Sequence, residues 1–355
     1  MENKVRVLIV DDSLVARNLL CRIFGTDPRI EIIATANEGT EALNFLKQRK
    51  PDVITMDINM PGMDGFEVTA RIMEEYAIPI VIVSGNYESS ETAKTFAALE
   101  AGAVAILPKP KGPGSDDFER SVRKFCSTIK SMAEVRVVRR SRASNCTRDQ
   151  LTIPGLSCSS TYDPLPHQPI HLIAIGASAG GPDALVRCLS ILQGRLTVPV
   201  LLVQHIDAGF VDGFSTWLTE HTGIPSSVAG NGDPLIAGRL YMAPGNHNLS
   251  VSKDKLIHIS KDPPEKGLRP SVSYLFRSVR QVFGQTALGV ILSGMGKDGA
   301  EELKLMRDSG SITIVQDEQS SLVFGMPGEA FRISAACHIL PPGKIADAIL
   351  QYIKK

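Results

Sequence analysis

The stretch HLIAIGASAGGP, residues 171–182, decides how the C-terminal half of the chain folds. Its apolar run is typical of a buried strand, and the run ends at Gly176 in a turn crowded with small residues. A strand that leads through such a turn into a helical pattern is typical of a parallel α/β sheet. The turn itself has two interpretations, because it either cradles a cofactor phosphate or presents Ser178 as a nucleophile.

The rest of this half continues the alternation of apolar strands and amphipathic helices. Further strand patterns are VPVLLVQH, ALGVILSG, SITIVQ and ACHIL, and helical patterns cover residues 183–192, 213–221, 271–283, 298–308 and 344–353. The polar stretch at residues 238–260, GRLYMAPGNHNLSVSKDKLIHIS, predicts a pair of inserted hairpin strands. We therefore predict a doubly wound α/β domain with a β-hairpin excursion over residues 169–355.

The N-terminal half carries the same kind of alternation. Its strand patterns are VRVLIV, IEIIATA, DVITMD, IPIVIVS and AVAILP, with helical patterns near residues 13–24, 39–49, 65–76, 90–101 and 116–129. These units predict a five-stranded parallel doubly wound domain over residues 1–129. Residues 130–168, rich in serine, threonine and proline, predict a flexible linker. We interpret the basic run Arg136–Arg142 as a solvated part of that linker, because no recognition helix accompanies it.

The overall composition excludes several classes of protein. The 355 residues contain 38 basic and 38 acidic side chains, so no global field attracts nucleic acid or a membrane surface. Neither a secretion leader nor an apolar stretch of membrane-spanning length is visible, and we expect a cytoplasmic protein without membrane insertion. Its cysteines lack paired metal-ligand or redox spacing and are interpreted as reduced thiols. They are Cys21, Cys126, Cys146, Cys158, Cys188 and Cys337.

Polar residues follow four strands of the N-terminal half. Asp11 and Asp12 end the first strand, Asp57 the third and Ser84 the fourth, while the fifth runs into Lys109. Ligands of open parallel sheets bind at the carboxyl ends of the strands, so these side chains converge there. Three converging carboxylates repel one another unless a cation lies among them, and oxygen ligands suit Mg²⁺. With a lysine and a hydroxyl beside the cation, the site is suited to phosphoryl oxygens.

These residues, together with the motifs DINMPGMDG after strand three and PKP around Lys109, resemble the receiver domain of two-component response regulators. The resemblance implies that Asp57 accepts a phosphoryl group from a chemotaxis histidine kinase, while Ser84 and Lys109 hold its oxygens. It also implies a set of magnesium ligands. They are Asp11 (through water), Asp12, Asp57 and the backbone carbonyl of Asn59. The sequence departs from this pattern at Ile106, where many receivers carry an aromatic residue that rotates on activation.

The turn at Ser178 fits a nucleophile better than a phosphate cradle. A dinucleotide-binding turn has the pattern G-x-G-x-x-G, but Ser178 occupies the place of the middle glycine. The next strand ends in His205 rather than in the acidic residue that would bind a ribose. Residues 176–180 instead satisfy G-x-S-x-G, in which small neighbours expose a serine hydroxyl.

A nucleophilic serine requires a base and a group that orients the base. Of the seven histidines, His205 alone ends a core parallel strand, and His247 remains a candidate for the rim of the site. The others lie at the start of a strand, in the linker, at the end of a helix or within strands. They are His167, His171, His221, His258 and His338.

The orienting acid has three candidates. Asp298 closes the Gly-rich stretch GVILSGMGKDG at another strand end, where it is equally well suited to cap a helix. Asp183 and Asp207 are nearer in sequence to the serine and the histidine, but Asp183 falls within the helix after the serine. We therefore predict a triad of Ser178, His205 and Asp298, whose chain order differs from that of the α/β-hydrolases.

The motifs IGASAGG, LLVQH, YMAPGNHNL, LSGMGKDGA and DEQSSLVFGMP resemble the catalytic domain of the chemotaxis protein-glutamate methylesterases, the CheB-type family. The resemblance implies the same triad, with backbone near Met295 at the oxyanion, and it implies no cofactor for the esterase reaction. Ala179 stands where many members have threonine. The implied activity is phosphorylation-activated hydrolysis of glutamate methyl esters on the cytoplasmic helices of methyl-accepting chemoreceptors, releasing methanol. Deamidation of receptor glutamines, a DNA-binding output and a non-catalytic scaffold stay open as alternatives.

Overall fold

The computed structural model describes two α/β halves, each built on a parallel sheet, that meet where the helix Ser89–Glu100 packs against the helices Gly181–Leu189 and Val211–Thr222. The described residues are 4–85, 89–110, 112, 118–135, 137 and 168–354. Most of the predicted linker, including its basic run apart from Val137, lies outside them.

The N-terminal half contains the predicted five-stranded parallel sheet, in the order β2-β1-β3-β4-β5. Its strands are β1 (Val5–Val10), β2 (Ile30–Ala36), β3 (Val53–Met56), β4 (Ile80–Ser84) and β5 (Ala105–Pro108). Its helices are α1 (Leu14–Gly25), α2 (Gly39–Leu46), α3 (Gly65–Glu75), α4 (Ser89–Glu100) and α5 (Phe118–Ala133). Every residue of β3 and β4 is buried, as the apolar runs predict for strands covered on both faces. The strand order reverses between β1 and β3, which places a crevice at their carboxyl ends.

The C-terminal half is built on a seven-stranded parallel sheet, in the order β14-β13-β12-β6-β7-β9-β8. Its strands are β6 (Leu172–Ala177), β7 (Val200–Gln204), β8 (Ser226–Val228), β9 (Leu240–Met242), β12 (Ala287–Ile291), β13 (Ile312–Gln316) and β14 (His338–Leu340). A separate antiparallel hairpin consists of β10 (Asn248–Val251) and β11 (Ile257–Ser260). The helices are α6 (Gly181–Leu189), α7 (Val211–Thr222), α8 (Val272–Phe283), α9 (Ala300–Asp308), α10 (Met326–Arg332) and α11 (Pro342–Ile353). The predicted fold class is confirmed for both halves.

The polar excursion at residues 238–260 differs in one respect from the prediction. Its last two strands form the expected hairpin, but its first strand, β9, joins the main sheet beside β7. The short strand β8 and the short helix α10 were not predicted at all. A three-residue polar strand such as SSV and a seven-residue helix are too short to show a clear period in the sequence.

The central strand β6 lies between β7 and β12. After β6 the chain builds the sheet outward on the β7 side, and it then returns to build β12, β13 and β14 on the other side. The strand order therefore reverses at β6, so a crevice opens at its carboxyl end. This is the end that carries Ser178.

An aromatic cluster joins the two halves. The ring of Phe96, a buried residue of α4, lies 5.2 Å from that of Phe214 and 5.5 Å from that of Trp217, both on α7. The Phe210 ring completes the cluster at 6.5 Å, edge to face. Because Phe96 is fully buried and three of its ring contacts belong to the other half, this cluster helps to hold the two halves together.

Two ion pairs accompany the aromatic cluster. Glu100 at the end of α4 lies 3.9 Å from His221, and Lys124 of α5 lies 3.5 Å from Asp207. Such partly exposed pairs contribute little to stability, on the order of 1 kcal/mol or less, so they favour one orientation of the contact more than they strengthen it. Among the described residues, no helix is both long and apolar enough to cross a membrane.

Candidate active site

Ser178 lies in a sharp turn directly after β6. Its backbone N–H donates to the carbonyl of Ser293 at 3.0 Å, and its own carbonyl accepts from the N–H of Gly181 at 2.8 Å. Gly180 has a left-handed φ of +73°, and a Cβ there would lie 2.6 Å from Ser293 Oγ. Only glycine fits this position, and the turn leaves the Ser178 side chain partly exposed in the crevice.

His205 follows the neighbouring strand β7. Ala177 and Gln204 pair in the parallel ladder, and the N–H of His205 donates to the Ala177 carbonyl at 2.9 Å. The serine and the histidine therefore leave the sheet side by side. The Nε2 atom of His205 lies 3.0 Å from Oδ2 of Asp298, which leaves Nδ1 as the ring nitrogen not engaged by this carboxylate.

Asp298 is held in the loop between β12 and α9 and is only 7% exposed. Besides His205, its carboxylate accepts from the hydroxyl of Ser271 at 3.0 Å and from the N–H groups of Val272 and Ser273 at 2.7 and 3.1 Å. These backbone donors belong to the first turn of α8, whose positive dipole end favours a negative charge.

The pKa of Asp298 reflects these partners. Burial by itself would raise it, but the hydrogen bond and positive charge of His205, with the two backbone N–H groups, lower the pKa of Asp298 to about 2. The alternative interpretation as a cap of α9 is not what the structure shows, because Gly299 occupies the N-cap position. Asp298 instead binds the N-terminus of α8.

The other candidate acids and histidines lie elsewhere. Asp183 is in α6, 3.6 Å from Arg187, and Asp207 accepts from the N–H of Gly209 at 3.3 Å. His247, the candidate for the rim, directs Nδ1 at the Gly245 carbonyl at 2.7 Å. Ser178, His205 and Asp298 are thus the predicted residues that the structure brings to one sheet edge.

The loop after β12 brings backbone donors beside the serine. The Gly294 carbonyl accepts from the N–H groups of Gly325 and Met326 at 3.0 and 2.8 Å, which holds the loop in place. Met295 lines the same cleft as Ser178, and within the described part of the chain its N–H donates no hydrogen bond. Among the residues that the structure describes, this N–H is therefore left without a partner.

Three polar residues of the site were not recognised in the sequence: Gln204, Ser271 and Ser293. Each is at least 95% buried. Gln204 donates to the Ser178 carbonyl, Ser271 to the Asp298 carboxylate, and Ser293 to a carbonyl of the serine turn. A polar residue that ends an apolar strand, such as Gln204, is the one signal that was available. Their contacts to the triad residues and the serine turn span 26 or more residues, apart from a second bond of Gln204 to its neighbour His205.

A cleft of about 640 Å³ contains Ser178, His205 and Met295 and lies between the two halves. Ile106 of β5 and Lys124 of α5 line its opposite side, so the N-terminal half forms one wall of the cleft. A bulky substrate must therefore enter past a surface that belongs to the other half.

The second predicted site lies at the carboxyl edge of the N-terminal sheet. Oxygen atoms of Asp11, Asp12 and Asp57 lie within 4.8 Å of one another, and Lys109 Nζ lies 2.8 Å from both Asp11 Oδ2 and Asp57 Oδ2. Three carboxylates beside one ammonium leave two negative charges and offer only oxygen ligands, which suits Mg²⁺. Gly65 packs against the Asp57 backbone, since a Cβ there would lie 2.1 Å from the Asp57 carbonyl oxygen.

Burial and neighbouring charges act in opposite directions on the pKa values of this pocket. Burial raises the pKa of Asp57 above its usual value, the charge of Asp11 adds to this, and Lys109 opposes it. Burial lowers the pKa of Lys109, but hydrogen bonds to the two carboxylates outweigh that effect and raise it. The backbone N–H of Lys109 donates to the Ser84 carbonyl at 2.8 Å, so these two residues are adjacent at the strand ends. Asn59 is exposed in the loop after β3.

Comparisons with known proteins agree with this division into two sites. The profile of the CheB methylesterase family matches residues 173–349, and that of the response regulator receiver domain matches residues 7–115. A Geobacter metallireducens protein named protein-glutamate methylesterase/protein-glutamine glutaminase 4 is 48% identical over 97% of this chain and 98% of its own. A protein-glutamate methylesterase/protein-glutamine glutaminase of Nitrosospira multiformis is 44% identical over 98% and 97%. The crystal structure of the Thermotoga maritima CheB methylesterase catalytic domain is 26% identical with a TM-score of 0.50, covering 52% of this chain and 99% of that one.

Proposed function

The chain belongs to the CheB methylesterase family and carries a receiver domain, and we propose that it hydrolyses glutamate γ-methyl esters of chemoreceptors and releases methanol. The observation that carries this proposal is the bond of His205 to a buried, ionised Asp298 at the same sheet edge as the partly exposed Ser178. The proposed segments are a receiver domain at residues 1–129, a linker at 130–168 and a catalytic domain at 169–355. The two profile matches, at residues 7–115 and 173–349, support a division into two domains, and α5 continues to Ala133, four residues beyond the predicted end of the first.

The proposed reaction passes through an acyl-enzyme. Ser178 Oγ attacks the ester carbonyl carbon while Nδ1 of His205 takes its proton, and Asp298 stabilises the resulting imidazolium through Nε2–H. The N–H of Met295 donates to the oxyanion. When the intermediate collapses, the methoxide takes the proton from His205 and leaves as methanol. Water then attacks the acyl-enzyme with His205 as base, which frees the glutamate and restores Ser178.

Each group that these steps use belongs to the chain, so we propose no cofactor for ester hydrolysis. The same site is suited to deamidation of glutamine, because an amide carbonyl forms the same oxyanion and His205 gives its proton to departing ammonia. The glutaminase activity in the names of the relatives supports this second reaction.

The receiver domain is proposed to control this activity through Asp57, which takes a phosphoryl group from a chemotaxis histidine kinase. The proposed magnesium ligands are Asp12, Asp57 and the Asn59 carbonyl, with Asp11 acting through water, as the all-oxygen pocket supports. When bound, Mg²⁺ would neutralise the charge of the phosphoryl group. Lys109 is already within reach of Asp57 and would hold a phosphoryl oxygen together with Ser84.

The contact between the two halves supports a mechanism of inhibition by occlusion. The receiver domain forms one wall of the cleft that holds Ser178, and Phe96 anchors it there. Phosphorylation of Asp57 would draw Ser84 and Lys109 toward the phosphoryl group and favour release of this contact. A change from mostly closed to mostly open requires only about 5 kcal/mol of differential stability. Ile106 has no ring to rotate, so movement of Ser84 is the proposed trigger.

The proposed compartment is the cytoplasm, where the kinase and the cytoplasmic helices of methyl-accepting chemoreceptors would be met. The four cysteines that the structure describes are free thiols, which suits a reducing compartment. We propose no nucleic-acid partner and no membrane insertion. A DNA-binding output is disfavoured because residues 172–353 form a parallel sheet with helices rather than a compact helical DNA-binding domain. A non-catalytic scaffold is disfavoured because it would have no need of the buried, ionised Asp298.

Methanol release from methylated chemoreceptor membranes tests the proposed function. The full-length protein should release methanol, and a small phosphodonor with Mg²⁺ should accelerate the release. The matched S178A variant should release none under either condition. Absence of methanol with the wild type and phosphodonor, or equal release by S178A, would refute the proposal.

A further inference from the structure

One buried amide connects the nucleophile to the base. Gln204 is the last residue of β7 and is 4% exposed. Its side-chain Nε2 donates to the backbone carbonyl of Ser178 at 2.9 Å and to that of His205 at 3.1 Å. A single NH₂ group thus bonds to the two residues between which the proton of the reaction is to move.

These two carbonyls lie just beyond the end of the sheet ladder. The ladder pairs Ala177 with Gln204 and continues only through the N–H of His205 to the Ala177 carbonyl. The carbonyls of Ser178 and His205 belong to residues beyond that point. The Ser178 carbonyl also accepts from the N–H of Gly181 within its own turn. The two hydrogens of the Gln204 amide add one bond to each carbonyl and so link the turn after β6 to the end of β7.

The orientation of this amide follows from its surroundings. Among the described residues, the Gln204 Oε1 atom has no hydrogen-bond partner, and a Cβ at Gly181 would lie only 2.4 Å from it. Turning the amide over would direct Oε1 at the two carbonyl oxygens, which repel it. The missing side chain at Gly181 leaves room for Oε1, so the NH₂ group stays directed at the site.

The opposite side of the serine turn is held in a comparable way. Ser293 Oγ, after β12, donates to the carbonyl of Ala179 at 2.8 Å. The Ser178 turn is therefore fixed from both neighbouring strands, but only the Gln204 contact also includes the base. A displacement of about 1 Å between reacting groups lowers rates by roughly 100-fold. A side chain that fixes the backbone of both groups thus has a direct effect on the chemical step.

We infer that Gln204 is a positioning residue for the proposed ester hydrolysis, since its amide keeps the Ser178 turn and the His205 backbone in register for proton transfer. The inference rests on the proposed function. Gln204 acts through the two backbones and contacts no reacting atom, so its loss affects kcat and leaves substrate binding, measured as KM, nearly unchanged.

Two variants of equal length separate hydrogen bonding from packing. Q204M keeps the volume but donates no hydrogen bond, whereas Q204E also keeps an acceptor and places a carboxylate against the two carbonyls. T313V is the matched control. Thr313 is fully buried in β13, and its hydroxyl bonds to the Ala335 carbonyl and the Cys337 N–H, away from the site.

The experiment measures methanol release by the full-length proteins with phosphodonor, the rate at which a small fluorophosphonate labels Ser178, and the melting temperature. We expect Q204M to lower kcat and the labelling rate at least tenfold with KM within twofold, and Q204E to be slower than Q204M. T313V should melt earlier with kcat within twofold of the wild type.

Two outcomes overturn the inference in different ways. Equal kcat values for Q204M and T313V, with the wild type active and S178A inactive, would overturn the role of Gln204 alone. An inactive wild type, or an active S178A, would overturn the proposed function and the role of Gln204 with it.

Discussion

The carboxylate of Asp298 joins His205 to the N-terminus of α8: its Oδ2 atom lies 3.0 Å from His205 Nε2 and 2.7 Å from the N–H of Val272. The helix thereby keeps the carboxylate charged and in one orientation. The carboxylate in turn gives the Nε2–H of His205 an acceptor in a fixed position. Nδ1 of the same ring remains for the proposed nucleophile. Removal of any part of this chain of contacts affects the reaction in a distinct way.

The first prediction concerns the nucleophile. S178A should abolish ester hydrolysis without unfolding the protein, because the turn depends on backbone bonds to Ser293 and Gly181 that alanine also makes. The measurement is methanol release together with the melting temperature. Activity above about a tenth of the wild-type rate would remove Ser178 from the mechanism.

The second prediction concerns the orienting acid. D298N keeps the shape of the side chain but presents an amide to His205, which favours the wrong tautomer, and turnover should fall by roughly four orders of magnitude. D183N is the matched control, because Asp183 lies in α6 and pairs with Arg187. If D183N proved the more damaging change, the assignment of the acid would be wrong.

The third prediction concerns stability in acid. The pKa of Asp298 is lowered to about 2, below that of an unfolded aspartate, so its stabilising effect is complete above about pH 4 and disappears as the pH falls toward 2. The shift corresponds to about 2 kcal/mol. The stability difference between wild type and D298N should therefore shrink by about that amount from pH 5 to pH 2.

Trp217, the sole tryptophan of the chain, makes this measurement specific to the catalytic domain. Urea unfolding followed by its fluorescence at each pH gives the free energy of unfolding of both proteins. A difference that stays constant across this range would show that the carboxylate is not stabilised by its charge.

The fourth prediction concerns inhibition by the receiver domain. F96A removes a fully buried ring from the contact with Phe214 and Trp217, at a cost of about 2 kcal/mol or more, which shifts a two-state equilibrium by roughly 30-fold. Without phosphodonor, F96A should hydrolyse ester at least tenfold faster than the wild type. F66A, which removes a 39% exposed phenylalanine of the same domain, should not. Equal basal rates for all three proteins would argue against occlusion.

The fifth prediction concerns the phosphorylation site. D57N retains a side chain of the same shape but accepts no phosphoryl group, so full-length D57N should stay at the basal rate when phosphodonor and Mg²⁺ are added. D52N provides the control, because Asp52 pairs with Arg6 away from the acidic pocket. Acceleration of D57N equal to that of D52N would place the regulatory phosphorylation elsewhere.

The fold class followed from the sequence because both halves repeat one local pattern. Strand patterns of four to seven residues, each followed by a helical period, suffice to predict parallel sheets, and the five strands of the receiver domain were all found. Strand ends also pointed to Asp57, Lys109, Ser178 and His205, because residues after parallel strands share one edge. Short elements such as β8 and α10 were missed, since neither a three-residue polar strand nor a helix of only two turns carries a reliable period.

Only the tertiary structure decided what holds the site together. Asp298 had two equally good local interpretations in the sequence, and its position beside His205 and the first turn of α8 depends on how that helix packs next to β6 and β12. The partners of Gln204 and Phe96 were equally invisible, because Ser178 lies 26 residues from Gln204 and Phe96 meets rings of another domain. Local sequence determines periodicity and the residues at strand ends, whereas contacts between distant segments depend on packing that no single segment encodes.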